Sequence, residues 1–199
     1  MPKKIDHESR KVKILQTALV VFAKEGYKDS NLSLIAQECG ISRPTIYQYF
    51  KDKDEIYYYA VKLVTNKMFE KYVDFAWNSD ANVLDRLISI CSDIIDTGIQ
   101  HIGELTSLVD VMFIMRKEGT DFNSVILRRT AKLNILFKRL LRLGIYNGDI
   151  KKGTSIDTVT EHISLLLQSF CIELAFLDLK DSNKNKELIS TYLNFFRNN

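Results

Sequence analysis

Apolar residues recur at three- and four-residue intervals along most of the chain, the spacing that gathers them on one face of an α-helix. Val12, Ile14, Leu15, Ala18, Leu19 and Phe22 form the first stripe, and Gly26 stops it. The second, Leu32, Ile35, Ala36 and Cys39, opens after Ser30 and Asn31, either of which can accept a hydrogen bond from the unpaired N–H groups of a first turn, and closes at Gly40. Only Gly40, Ile41 and Ser42 separate it from a third pattern. There Ser42 is the cap, Pro44 stands in the first turn where its missing N–H is not needed, and Ile46 and Phe50 face inward. A long fourth helix starts at Asp52, with Glu55 at capping-box spacing, and carries Ile56, Ala60, Leu63, Val64, Met68, Tyr72 and Phe75 to about Trp77. Beyond a break at 78–80, helical patterns cover about 82–101, 103–118, 121–143, 155–179 and 184–197, joined by short polar or glycine-bearing segments such as 144–153.

Two prolines, eight glycines and a single Asn-Gly pair at Asn147 and Gly148 leave little punctuation for strands. The expected fold is all-α with about nine helices and no internal repeat. A three-helix domain over residues 1–53, with a helix-turn-helix at about 31–50, is joined by the long fourth helix to a helical domain within 54–199. The net charge of +3 is small, but residues 1–53 carry ten Lys or Arg against six Asp or Glu, so the positive excess sits at the N-terminal end. Cys39, Cys91 and Cys171 are odd in number and far apart, which predicts buried thiols in a reducing compartment. The start MPKKIDHESRK has no apolar stretch, and no long uncharged apolar run follows. The expectation is a cytoplasmic protein, neither secreted nor membrane-spanning.

Two short helices joined by a three-residue turn with a glycine describe a helix-turn-helix, whose second helix enters the major groove of DNA. A helix from Ser42 to Phe50 would be about 13 Å long, and the groove is about 12 Å wide. With Ile46 and Phe50 committed inward, Arg43, Thr45, Tyr47, Gln48 and Tyr49 point outward. Arg43 suits guanine O6 and N7, Gln48 suits adenine, and Thr45 and the tyrosine hydroxyls suit phosphates or thymine methyls. Lys53, at the start of the fourth helix, is expected to offer its charge to a phosphate beside free backbone N–H groups.

The runs Ser33-Leu34-Ile35-Ala36 and Gly40 to Ile56, with Ile14, Ala18, Phe22, Gly26 and Tyr27 ahead of them, resemble the DNA-binding signature of TetR-type regulators. The likeness covers residues 10–60, and 144–150 resembles the link before that family's dimerisation helices. The resemblance implies DNA contacts from Ser42, Arg43, Pro44, Thr45, Tyr47, Gln48, Tyr49 and Lys53, with Asn31 and Ser33 added from the second helix. Asn31-Leu32-Ser33 departs from the threonine and charged residue common there. It also implies a C-terminal ligand-binding and dimerisation domain, a palindromic double-stranded operator, and a small-molecule effector that shifts the fourth helix.

The penultimate helix is apolar on two faces: Val159, Ile163, Leu167, Phe170, Leu174 and Leu177 on one, Leu165, Ile172, Phe176 and Leu179 on another. Two faces need two partners. A homodimer with a four-helix interface follows, joined by Leu188, Tyr192, Phe195 and Phe196. His101, Asp110, Arg116, Gln168, Cys171 and Glu173 are candidate effector-pocket residues, each of which could equally be an edge or internally bonded polar group. His7, His101 and His162 lack metal-ligand spacing, and Tyr57, Tyr58 and Tyr59 point in different directions and cannot form a base-stacking stripe. Lysines 3, 4, 11 and 13 read as either an arm toward the DNA backbone or a solvated terminus. Asp93, Asp96 and Glu104 come without a nucleophile or phosphate loop, so no catalytic residues, cofactor or metal are expected. The competing reading is a DNA-bound scaffold or nucleoid-associated protein that recruits a protein partner without a small-molecule effector.

Overall fold

The computed structural model describes residues 6–103, 105, 106, 109, 123–177 and 181–198. Eight helices lie among them: α1 (His7–Glu25), α2 (Leu32–Cys39), α3 (Arg43–Tyr47), α4 (Lys53–Asn78), α5 (Val83–Gln100), α6 (Asn123–Asn147), α7 (Ile156–Phe176) and α8 (Ser182–Asn194). The described residues contain no strand, only an isolated antiparallel bridge between Ile150 and Arg197. Most of the helix expected at 103–118 falls outside them, as does Leu179.

The chain packs as two compact units. Of the described residues, the first takes in 6–67, 106 and 109, the second 68–103, 105, 123–177 and 181–198. The first half of α4 therefore packs with the N-terminal helices, past the boundary at residue 53 read from the sequence. The reason is Ile56, Tyr57, Ala60 and Val61, which are buried with Ile14, Leu15, Ala18 and Phe22 of α1 and Ile35, Ala36 and Cys39 of α2. The Tyr57 ring stands edge-on to Phe22 at 5.2 Å and to Tyr27 at 5.4 Å, the offset geometry that aromatic quadrupoles favour. Val64 and Phe75, placed on the inward stripe from spacing, are exposed.

In the second unit α5 is central and packs against α6, α7 and α8. Its buried face is Val83, Leu84, Leu87, Ile90, Cys91 and Ile95. Against it lie Leu136, Phe137, Leu140 and Leu141 of α6, Val159, Ile163, Leu167, Phe170 and Leu174 of α7, and Ile189 and Leu193 of α8. On the other side of α7, Leu165, Ile172 and Phe176 are exposed. Leu177 is exposed too and does not extend the buried stripe, because the helix stops one residue before it. By length and composition α7 could cross a membrane, but its core-facing stripe is occupied by the packing just described. All three cysteines are free thiols, and burial pushes the Cys91 thiol up to about 12 and that of Cys171 in the same direction. Both are neutral at ordinary pH.

The connection after α6 is fastened from two sides. The Asp149 carboxylate accepts from Asn82 Nδ2 at 2.8 Å and from the Val83 N–H at 3.2 Å, at the start of α5. The chain end closes over it through Lys151 N–H to Phe196 O at 2.9 Å and Asn198 N–H to Asp149 O at 3.0 Å, and Arg197 pairs with Asp85. Gly144 does not end α6 as the pattern implied. The helix runs on to Asn147, and the glycine is there because buried Ile150 folds against its backbone: a Cβ would stand 2.6 Å from Ile150 Cδ1 and 2.9 Å from Cγ1.

Gly144→Ala should therefore destabilise the fold by about 1 to 3 kcal/mol through overpacking, although helix propensity alone would favour alanine by about 1 kcal/mol. Urea unfolding followed by circular dichroism gives the sign. A stabilised variant would mean that Ile150 can move aside.

Candidate nucleic-acid interface

The segment from Asn31 to Phe50 is built by short-range bonds. Asn31 caps α2, its Oδ1 accepting the Leu34 N–H at 3.0 Å, while Ser30 Oγ donates to the Gly26 carbonyl at 2.6 Å. The choice of cap between these two residues, open in the sequence, falls to Asn31. Gly40 ends α2 at φ 69°, ψ 34°, the left-handed region where a side chain would be strained, and its N–H returns to the carbonyls of Ala36 and Gln37. Two residues later Ser42 caps α3: its hydroxyl accepts the Thr45 N–H at 3.3 Å and bonds the Thr45 hydroxyl at 2.7 Å.

α3 is shorter than expected. Its α-helical part is the five residues Arg43–Tyr47, after which Gln48 and Tyr49 continue through i−3 bonds to the Thr45 and Ile46 carbonyls, until the Phe50 N–H again reaches Ile46. Such tightened last turns satisfy helix ends that no cap covers. Ile46 is fully buried and Phe50 nearly so. The opposite side carries Arg43, Pro44, Tyr47 and Gln48, all exposed, with the Arg43 guanidinium 5.9 Å from the Tyr47 ring centre.

Most of the other residues read as DNA contacts have internal partners. Asn31 and Ser42 use their side-chain oxygens as caps, Thr45 is tied to Ser42, and Ser33 is half-buried. Half-buried Tyr49 shares a 3.0 Å bond with His7 Nδ1. Lys53 is not aimed outward: its ammonium donates to the carbonyls of Tyr27 at 2.9 Å, Lys28 at 3.2 Å and Ser30 at 3.3 Å, and lies 4.5 Å from the Tyr27 ring centre. His7 was not foreseen as part of this surface. Lys11 sits 4.8 Å from the Tyr59 ring centre and 5.6 Å from that of Phe50, a ring contact in place of an arm or a solvated terminus; Lys3 and Lys4 lie outside the described residues. The pairing of residues 42 positions apart leaves no local signal in a sequence.

The four effector-pocket candidates among the described residues line no common cleft there. His101 and Gln168 are exposed, Cys171 and Glu173 half-buried, and Asp110 and Arg116 lie outside the described residues. Gln168 shares the outer face of α7 with Leu165 and Ile172, three and four positions away, so it points away from the core. The second unit does form an open cleft of about 560 Å³, lined by Tyr72, Phe75, Ile90 and the Lys71–Asp93 ion pair among others, but by none of the four described candidates. Among the described residues no three or more His, Cys, Asp or Glu side chains gather as a metal would need.

A three-residue turn with a left-handed glycine, a capped short helix anchored from behind, and polar groups on its outer side define a helix-turn-helix protein. Residues 14–59 match the model of the bacterial regulatory proteins of the tetR family. The chain is 30% identical over 105 residues to the HTH-type transcriptional regulator PksA of Bacillus subtilis, a match spanning 53% of this chain and only 51% of that relative. Over 154 residues it is 27% identical to the fatty acid metabolism regulator protein of the same organism, covering 73% of each. Its fold follows a TetR transcription regulator of Haloarcula marismortui over 96% of this chain and 99% of that one, with TM-score 0.84 and 15% identity. It also follows the Bacillus subtilis regulator FadR in complex with stearoyl-CoA over 91% and 96%, with TM-score 0.74 and 20% identity.

Ser42→Ala removes a cap and should lower stability by about 1 kcal/mol, measured by urea unfolding. An unchanged midpoint would show that the Ser42 hydroxyl contributes nothing to holding α3.

Proposed function

We propose that this chain is a sequence-specific DNA-binding regulator of transcription. In this reading a cytoplasmic two-fold dimer sits on a palindromic operator, represses by occluding a promoter, and leaves when a small-molecule effector binds the helices of the second unit. One observation carries the reading: a short helix fixed by Ile46 and Phe50 from behind turns Arg43, Pro44, Tyr47 and Gln48 toward solvent. Arg43 reads guanine and Gln48 adenine, with Pro44 and Tyr47 against thymine methyls or phosphates. Asn31, Ser33, Ser42, Thr45 and Tyr49 shape the surface that presents them.

The dimer is supported by the outer face of α7 and the end of the chain. Leu165, Ile172, Phe176, Leu188 and Phe195 are all about half exposed or more, an apolar surface of the kind a partner covers. Two reading heads on a two-fold axis match half-sites about 34 Å apart. For release, the effector must bind the DNA-free geometry more tightly than the DNA-bound one. A relative named for fatty acid metabolism and a fold neighbour holding stearoyl-CoA make a long-chain acyl thioester the first effector class to try.

The test is selection of duplexes from genomic DNA by the purified chain, followed by gel shift of the enriched duplex with and without stearoyl-CoA. Enrichment of a palindrome is expected, and recovery of random sequence would sink the operator. Failure of acyl thioesters to release the duplex would remove that effector class. Arg43→Ala should cost about 1 to 3 kcal/mol on the enriched duplex and relax preference at one base per half-site. Equal losses on enriched and random DNA would argue against a base contact. Ile172→Asp should convert dimer to monomer in sedimentation with helix content retained, and a variant that stays dimeric would place the interface elsewhere.

A further inference from the structure

We infer that Lys53 is a positioning residue rather than a phosphate ligand, and that with Asp54 and Glu55 it makes α2 and α3 a rigid extension of the first turn of α4. This rests on the DNA-binding reading above. A lysine ammonium has three N–H donors. Those of Lys53 meet three carbonyls, of Tyr27, Lys28 and Ser30, within 3.3 Å, and the cation lies against the Tyr27 ring. A phosphate could be served only by withdrawing an N–H from one of these acceptors, two of which belong to the buried residues Tyr27 and Ser30. Asp54, the next residue, accepts the Tyr27 hydroxyl, so one turn of α4 holds the 27–30 segment by its backbone and by its side chain. Asn31, the cap of α2, follows at once, so the start of α2 hangs from the start of α4.

The same turn holds the chain on the far side of the reading unit. Glu55 Oε2 accepts the Lys51 N–H at 2.8 Å, and the Glu55 N–H donates to Asp52 Oδ1 at 2.7 Å, directly after buried Phe50. Three consecutive residues therefore grip the backbone just before α2 and just after α3. A shift of this turn is passed to Arg43 and Gln48 without a loose joint. Lys53 serves the upstream grip alone, so its loss should tilt the reading helix while leaving the downstream bonds of Glu55 in place.

The test compares the enriched duplex with random-sequence duplex DNA over a range of salt, for Lys53→Met and Lys53→Arg. A lost charge-assisted bond network predicts a fall of about tenfold on the enriched duplex, with affinity for random DNA and its salt slope unchanged. A phosphate ligand predicts instead parallel losses on both duplexes and a log–log salt slope smaller by about 0.9 per contact, and that result would overturn the inference. Arginine separates the two roles again. It serves a phosphate as well as lysine does but cannot bring three N–H groups of one nitrogen to three carbonyls, so Lys53→Arg should lose discrimination, and full retention would refute the positioning role. If Lys53→Met is unfolded by circular dichroism at the assay temperature, Lys53→Arg and Tyr27→Phe decide, the latter expected to lose about threefold on the enriched duplex alone through one hydrogen bond. Failure of the unmodified chain to enrich any duplex would sink the DNA-binding reading and this inference together, whereas enrichment with parallel losses sinks only the role of Lys53.

Discussion

A helix of five residues has no stability of its own, because nucleation fixes more backbone freedom than one turn of hydrogen bonds returns. α3 exists because Ile46 and Phe50 are taken out of water behind it and because Ser42 and the tightened turn through Tyr49 satisfy its ends. Everything attributed to the reading surface depends on that burial. In the proposed reading Arg43 and Gln48 need a backbone that does not move beneath them, and the α1 and α4 side chains packed around Phe22, Tyr27 and Tyr57 supply that backing.

Polar groups around this core are used economically. Of the hydrogen-bonding residues between Asn31 and Lys53, several that look like ligands for DNA serve the protein first: Asn31 and Ser42 as caps, Thr45 on Ser42, Tyr49 on His7, Lys53 on three carbonyls. The exposed remainder is small and sits on one side of α3. That division between groups that hold the surface and groups left exposed on it is what a preorganised interface would require.

The second unit shows the same logic on a larger scale. α5 is enclosed by α6, α7 and α8, and Asp149 ties the connection after α6 to the start of α5 while the chain end closes over it. One face of α7 completes this core and the other is left apolar and exposed at Leu165, Ile172 and Phe176. An element buried on one side and apolar on the other is what an isologous interface uses, since the same patch serves both partners.

The helices of the described residues, the caps of α2, α3 and α4 and the two faces of α7 are legible from spacing, because periodicity and capping act over three or four residues and leave their record locally. Leu32, Ile35, Ala36 and Cys39 bracketed by Asn31 and Gly40 could be read as a helix without any tertiary contact. So could the outward position of Arg43, Tyr47 and Gln48 on α3, once Ile46 and Phe50 are assigned inward, whereas Thr45 and Tyr49 are half-buried. What spacing could not supply was where side chains go when their partners are distant in the chain. The direction of Lys53 depends on carbonyls 23 to 26 positions earlier, that of Tyr49 on His7, and the placement of Gly144 inside α6 on Ile150 folding back against it. The sequence by itself determined the elements, their polarity and the kind of chemistry on the reading helix. Only the tertiary structure decided which polar groups remain available, because an exposed-looking donor is satisfied by whichever acceptor the fold brings nearest.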